Sequence, residues 1–385
     1  MATGGRISAV SRIPTEIWWE IIEEAVCSNF VFATTYNGAH WARAVESISA
    51  GWAEYLASER QRDILSRVCT SWKRFCDSIK NRFIHVAHIA GYDLEEQDVI
   101  TKAWRVSLMD DTNHILSRLT GKPVQWRVLD IHQRMAKHMR NIPHPHLRRL
   151  QLTYNCESVT LFESDNLVQV LKGFTNITWF RYRAITPQLD DCLSDDHGES
   201  IVLQHLQVLQ YDGSGAFHFP YYRLILPSLR HLAIRAWIRI ESFPLDKLAE
   251  AYGRSLQSLC LMSISADPIR PSPERPYFPV WAEFPHLCEL SISAPILLNF
   301  HPLPLTHPLR VFAAQIWMIH DLLLSWFDSD NLRVVRILHA LRKSDGGLAP
   351  PYIISWPAST QVPGIDGEQM GQLHAKAVSK GIVLQ

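Results

Sequence analysis

One phrase recurs along most of this chain: an apolar residue, two variable positions, an apolar residue, one variable position and a third apolar residue. Pro145-His146-Leu147-Arg148-Arg149-Leu150-Gln151-Leu152 contains one copy. Others are Leu206-Gln207-Val208-Leu209-Gln210-Tyr211, Leu229-Arg230-His231-Leu232-Ala233-Ile234, Leu256-Gln257-Ser258-Leu259-Cys260-Leu261 and Leu287-Cys288-Glu289-Leu290-Ser291-Ile292. Weaker copies begin at Trp126, Ile177, Leu309 and Leu332. Successive starts are 21, 30, 29, 23, 27, 31, 22 and 23 residues apart, which lies in or near the range of repeat arrays. From Leu147 onward, six of eight copies place Arg or Gln directly after the first apolar residue.

Residues two apart on a strand share a face, so the last two apolar positions of each phrase point into one core. The segment between phrases must carry the chain back to begin a parallel neighbour. Residues 162–172 and 243–254 read as helices that do this, the second with Gly253 where a helix would stop. The proline-rich stretch 267–278 reads as a loop. No unit covers its own apolar side, so stacking is required.

The array resembles a degenerate leucine-rich repeat. That likeness implies an irregular solenoid with a parallel sheet over residues 83–345, and an unrelated α/β domain with a parallel sheet stays open beside it. Only Asn155 falls where the family's asparagine ladder would place one; Ser214, Trp237, Ile264 and Pro295 occupy the matching positions elsewhere. In such a repeat the variable positions beside the inward pair face the concave side. Arg149, Gln151, Trp179, Arg181, Arg183, Gln210, Asp212, His231 and Arg235 would then form a basic surface with one exposed aromatic. Later strands offer the milder Glu289, Ser291, Ser293 and Gln315. Arginine forks suit an acidic or phosphorylated target segment, which makes Arg149, Trp179, Arg181, Arg183, Gln210, His231 and Arg235 the target-binding candidates. Ordinary solvated side chains are the other reading of the same positions.

The first eighty residues follow a different rule. Pro14 suits a first helical position, and Glu16 sits in the first turn, where a carboxylate favours the positive end of the helix dipole. Apolar residues then recur at 13, 17, 18, 21, 22, 25 and 26. Residues 59–82 read as a second amphipathic helix, with Ile64, Leu65, Val68, Cys69, Trp72, Phe75 and Cys76 on one face. From periodicity alone these stretches make a helical hairpin. Ile13-Pro14-Thr15-Glu16-Ile17, Ile21-Ile22 and Val68-Cys69-Thr70-Ser71-Trp72, in that order, resemble an F-box. Ile13 stands where the family usually has Leu, and an aromatic-rich insertion at about 27–57 lengthens the middle, as in many fungal F-box proteins. The resemblance implies an all-helical module over 8–82 that docks on a Skp-type adaptor, and through it on a cullin. Ile13, Pro14, Ile17, Ile21, Ile22, Val68, Cys69 and Trp72 would be its motif residues, some of them packing the module's own core.

The rest of the chain narrows the function by what it lacks. Formal net charge is zero, so nothing points to nucleic acid or an anionic membrane as partner. No secretory leader and no apolar run of membrane-spanning length is read. The seven cysteines are scattered without a CxxC pairing, which argues for reduced thiols in a cytoplasmic or nuclear protein and against a zinc site. No P-loop or dinucleotide-binding glycine fingerprint occurs. Asp212-Gly213-Ser214-Gly215 is a turn rather than a nucleophile elbow, and His85/His88 and His144/His146 lack a carboxylate or thiol at ligand spacing. No catalytic residue, metal or cofactor is expected. Residues 346–385, Pro- and Gly-rich and then helical over 366–379, read as a terminal cap. The expected function is substrate recognition for a Skp-cullin-F-box ubiquitin ligase, with a target that the sequence does not identify. A leucine-rich-repeat scaffold that only joins proteins is the alternative, and an enzyme on an unrecognised α/β site is a third.

Overall fold

The computed structural model describes residues 13–26, 29–32, 34, 48–85, 97–108, 113–155, 164–185, 200–213, 223–236, 245–263, 281–292, 301–314, 320–339, 352–353 and 367–384. The chain forms two compact units, one of residues 1–131 with 138–149 and the other of 132–137 with 150–385. It belongs to the α/β class, with a large parallel sheet.

In the first unit, helices α1 (Thr15–Val26), α2 (Asn29–Phe32), α3 (Ile48–Leu65) and α4 (Thr70–Ser78) precede strand β1 (Phe83–His85). Helix α5 (Gln97–Lys102), β2 (Arg105–Leu108), α6 (Asn113–Leu119) and β3 (Val128–His132) follow. Strands β1, β2 and β3 run parallel in that order, with Ile84, Val106 and Leu129 in one buried row. The helix expected over 59–82 is two helices. Ser66 Oγ bonds back to Asp63 O, the turn tightens at Arg67 and Val68, and Cys69 is extended at φ −160°, so α4 starts afresh at Thr70. The expected insertion holds the start of α3 and much of an aromatic core. Val31, Phe32, Tyr55 and Phe83 form a buried cluster flanked by Trp52 and Trp104, with Tyr55 5.5 Å from Phe83.

In the second unit the strands are β4 (Arg149–Asn155), β5 (Trp179–Ile185), β6 (Ile201–Val202), β7 (Val208–Gly213), β8 (Leu224–Ile225) and β9 (His231–Ala236). Then come β10 (Ser258–Ser263), β11 (Glu289–Ile292), β12 (Val311–Ala314), β13 (Val334–His339), β14 (Tyr352–Ile353) and β15 (Val383–Leu384). The sheet order is β4-β5-β7-β9-β10-β11-β12-β13, and every pair from β5 to β13 is parallel. Strand β14 joins β13 antiparallel and β15 joins it parallel, while β6 and β8 pair separately. The helices are α7 (Gln133–Ala136), α8 (Ser164–Leu171), α9 (Leu245–Leu248), α10 (His320–Trp326) and α11 (Gly367–Ser379).

The recurring phrase explains this register. Ile177/Phe180/Tyr182, Leu229/Leu232/Ile234 and Leu256/Leu259/Leu261 are all buried, and each set brings its strand into the same alignment as the last. Ala103/Val106/Leu108 is a further buried copy, opened by an alanine where the other copies have a larger apolar residue. Helices α8 and α9 fall inside the two returns read as helical, the second continuing as a wide turn over Ala249–Gly253. Gly253 is not left-handed there. A Cβ at that position would collide with the backbone carbonyl of Glu283, so close approach of two returns requires the glycine. Left-handed glycines instead follow α6, at Gly121 (φ +76°), and α11, at Gly381 (φ +68°), the second with Ile382 N–H bonded to Ala377 O. The loop expected at 267–278 and positions 214, 237, 264 and 295 lie outside the described residues, as does the side chain of Asn155.

Candidate docking surface and polar ladder

Helix α1 has two apolar sides with different fates. Ile22 and Val26 are buried, and Trp18, half-buried, lies 5.0 Å from Trp72 of α4, centroid to centroid. Trp19 stacks on Phe75 at 5.4 Å with the rings 6° from parallel. These ring pairs join α1 to α4. On the other side, Ile13, Ile17 and Ile21 recur every four residues, so they form one stripe along the helix. All three are exposed, Ile17 by 43% and Ile21 by 46%. Pro14 is exposed beside them.

The turn before α4 adds to the exposed set. Val68 is 58% and Ile64 66% exposed, and Cys69 is exposed. Beneath them Arg62 is buried, giving Nη1–H to Cys76 O at 3.3 Å and Nε–H to Glu59 Oε2 at 2.8 Å. Burial pushes the Cys76 thiol pKa up. The eight motif residues therefore separate. Ile13, Pro14, Ile17, Ile21, Val68 and Cys69 face outward, Trp72 is half-buried against Trp18, and Ile22 belongs to the core. Trp18, Trp19 and Phe75, which fix the arrangement, lie between or beside motif residues. The adjacent tryptophans in the α1 stripe were the available signal.

Two buried arginines hold the helices to the first strands. Arg82 gives Nη2–H to Val26 O at the end of α1 (3.1 Å) and lies over the rings of Phe32 and Trp104. Arg105 gives Nη1–H to Val31 O in α2 (3.0 Å) and Nε–H to Asp130 Oδ2 (2.6 Å), with its guanidinium 4.6 Å from the Phe83 ring centre. Carbonyls at the C-terminal end of a helix lack intrahelical donors, so a cation there satisfies an acceptor and the dipole together.

The positions expected to form an open basic face are mostly closed. Trp179 is buried, not an exposed aromatic, and its indole N–H donates to Gln210 Oε1 at 3.1 Å. Arg181 is buried and forks onto Asp212 Oδ2 through Nε (2.7 Å) and Nη2 (2.6 Å). Arg149, Gln151 and Gln210 are buried, while Arg183 and His231 are half-buried. Burial, with Arg230 adding to it, lowers the His231 pKa to about 4. Arg235 aligns with Asp212 in the strand pairing, and its side chain lies outside the described residues. Glu289 and Ser291 are half-buried, and positions 293 and 315 are outside the description.

One geometric rule accounts for three of these bonds. Trp179 aligns with Val208, Arg181 with Gln210 and Arg105 with Val128, yet each donates to the residue two beyond its aligned partner: Gln210, Asp212 and Asp130. Strands are only ~4.8 Å apart and long side chains lean along them, so the diagonal neighbour is the natural acceptor. Each donor that meets one becomes part of the protein's internal bonding.

The chain matches no family model, and no curated protein matches it. Among the described residues, no cluster of three or more His, Cys, Asp or Glu could hold a metal ion, and no helix is long and apolar enough to cross a membrane.

Proposed function

We propose that this chain is a substrate-recognition subunit of a Skp-cullin-F-box ubiquitin ligase. Its N-terminal helices would dock on a Skp-type adaptor, and an irregular leucine-rich-repeat solenoid would carry the target. The observation that carries this reading is the exposed stripe Ile13, Ile17 and Ile21, on a helix whose opposite side is tied to α4 by the Trp18–Trp72 pair. Exposed Val68 and Cys69, directly before α4, are the motif's second half. Aliphatic side chains held in water by a rigid backbone lose little conformational entropy on association and gain burial, which favours a docking surface. Parallel strands with a phrase-by-phrase register support the repeat part of the reading.

No chemistry is asked of such a subunit. It raises the local concentration of a target lysine beside the charged conjugating enzyme. The reading sets the protein in the cytoplasm or nucleus with its adaptor and cullin.

The test is co-purification of the full chain with a Skp-type adaptor. The unaltered chain should retain the adaptor, and the Ile17→Asp/Ile21→Asp variant should lose it while keeping its circular dichroism spectrum. Failure of the unaltered chain to retain the adaptor would reject this reading and favour a scaffold that only joins proteins.

A further inference from the structure

The residue after the first apolar position of each phrase has no part in the docking surface or the polar ladder, but the structure gives it a fixed place. It lies immediately before a strand, and its carbonyl accepts two N–H groups from the next phrase. Gln207 O accepts from Arg230 (2.9 Å) and His231 (3.0 Å), and Arg230 O from Gln257 (2.7 Å) and Ser258 (3.0 Å). Gln257 O accepts from Cys288 and Glu289, Cys288 O from Arg310 and Val311, and Arg310 O from Arg333 and Val334. Gln207, Arg230, Gln257, Cys288, Arg310 and Arg333 are thus successive rungs along the N-terminal edge of the sheet. At ~4.8 Å per strand they span about 24 Å.

Unlike the buried arginines of the sheet, this row is open to solvent. Gln207, Arg230, Arg310 and Arg333 are exposed, and Gln257 and Cys288 half-exposed. The row contains no carboxylate. Glu289 starts the following strand and Asp330 sits in the preceding turn, its N–H bonded to Leu305 O. Among the described residues Arg230, Arg310 and Arg333 form no ion pair, and the one side-chain bond in this set is Arg333 Nη1–H to Leu332 O at 3.1 Å. In a chain of zero formal net charge, this is a line of guanidinium and amide donors that meets no carboxylate among the described residues.

We propose that this edge binds an extended acidic segment of a polypeptide. Guanidinium forks take carboxylates two bonds at a time, and Gln257 between two arginines and Gln207 at the end of the row supply N–H donors to backbone carbonyls. An extended chain rises ~3.3 Å per residue, so about seven residues fit the row. The target-binding surface of the proposed function would then be the N-terminal edge of the sheet and not its face; to that extent the inference rests on that proposal.

The test uses the full chain and a fluorescein-labelled nine-residue peptide of alternating Glu and Ser, with an alternating Gln and Ser peptide as control, read by fluorescence anisotropy. The Glu peptide should bind at least about tenfold more tightly than the Gln peptide, and the difference should shrink as salt is raised. Arg230→Glu/Arg310→Glu/Arg333→Glu should lose at least about tenfold, since three exposed pairs at up to ~1 kcal/mol each are reversed. Arg118→Glu, an exposed change in the other unit, should leave binding unchanged. If the triple Glu variant does not fold, the triple Gln variant provides the same test with only the charge removed. Equal affinity for the two peptides, or an unaltered triple variant, overturns the proposal. So does tighter binding of a nine-nucleotide oligouridine than of the Glu peptide, which would assign the edge to nucleic acid. The triple variant should still retain the Skp-type adaptor. Loss of adaptor binding in the unaltered chain would reject the ligase reading and leave the peptide result standing.

Discussion

Removing the Asp130 carboxylate should cost far more than its one ion pair suggests. The Arg105 and Asp130 side chains are 5% and 1% exposed, with Nε and Oδ2 2.6 Å apart. In Asp130→Ala, Arg105 would stay buried with the Val31 carbonyl and the Phe83 ring as its remaining partners among the described residues. An uncompensated buried cation destabilises by about 3–5 kcal/mol. Replacing both partners by apolar residues of similar size, as in Arg105→Met/Asp130→Leu, removes the cation as well and should lie within about 1 kcal/mol of the unaltered chain, or above it. The double variant should therefore be more stable than Asp130→Ala by ~2 kcal/mol or more. Urea unfolding followed by tryptophan fluorescence would measure this, because Trp52 and Trp104 flank the same core. Ser107, aligned with Asp130 on the next strand, buries a hydroxyl without a hydrogen-bond partner among the described residues, so Ser107→Ala should cost less than ~0.5 kcal/mol. If Asp130→Ala and the double variant are equally unstable, the reasoning is refuted: the loss would come from packing and not from stranded charge.

Other expectations follow from the same geometry. Ile22→Ala should cost about 2–5 kcal/mol in thermal or urea unfolding, whereas Ile17→Ala, three-sevenths exposed, should cost less than ~1 kcal/mol; equal losses would contradict the division of α1 into core and outward sides. Gly253→Ala should lower the melting temperature clearly, because the added methyl meets the Glu283 carbonyl, and an unchanged melt would refute that close approach. Acid should destabilise the second unit. His307 is held neutral by burial, with Nδ1 accepting Leu309 N–H at 3.3 Å and Nε2 3.1 Å from Phe284 O, and burial also lowers His231, to about 4. Both folded values lie below that of free histidine, so the unfolded chain takes the protons first. Stability present above pH ~6.5 should fall as the pH drops toward 4, by on the order of 2 kcal/mol. A melting temperature flat between pH 7 and 5 would contradict this.

Much of the fold could be read from residue spacing because burial enforces it. Leu229/Leu232/Ile234 and Leu256/Leu259/Leu261 announce their strands, since only an inward-pointing pair two apart explains apolar residues at those places. Ala103 hid its copy because a methyl group is too common a residue type to mark a pattern. Cys69 was read as mid-helix because its neighbours keep helical spacing through the turn that breaks the helix. The polar ladder was harder to read for a different reason. Arg181, Gln210 and Asp212 were all assigned to one sheet face, but whether a side chain meets water or a neighbour depends on alignment between strands that lie far apart in sequence. Once Arg181 aligns with Gln210, Asp212 is the diagonal acceptor and the arginine is closed off from water on its own face of the sheet. The motif residues of α1 divided in the same way: spacing gave the stripe, and only the packing of Trp18 and Trp19 on α4 decided which side stayed in water.

The paired N–H bonds at each rung also determine where this chain tolerates changes in length. Intervals between phrases already vary from 21 to 31 residues while the alignment of the strands stays constant. Lengthening a connecting segment is cheap, since doubling a loop costs only about 0.6 kcal/mol of closure entropy. One residue inserted between Leu256 and Leu261 would instead turn every later side chain of that strand to the opposite face. Insertions and deletions among relatives of this chain should accordingly collect between phrases, with each phrase keeping its six residues.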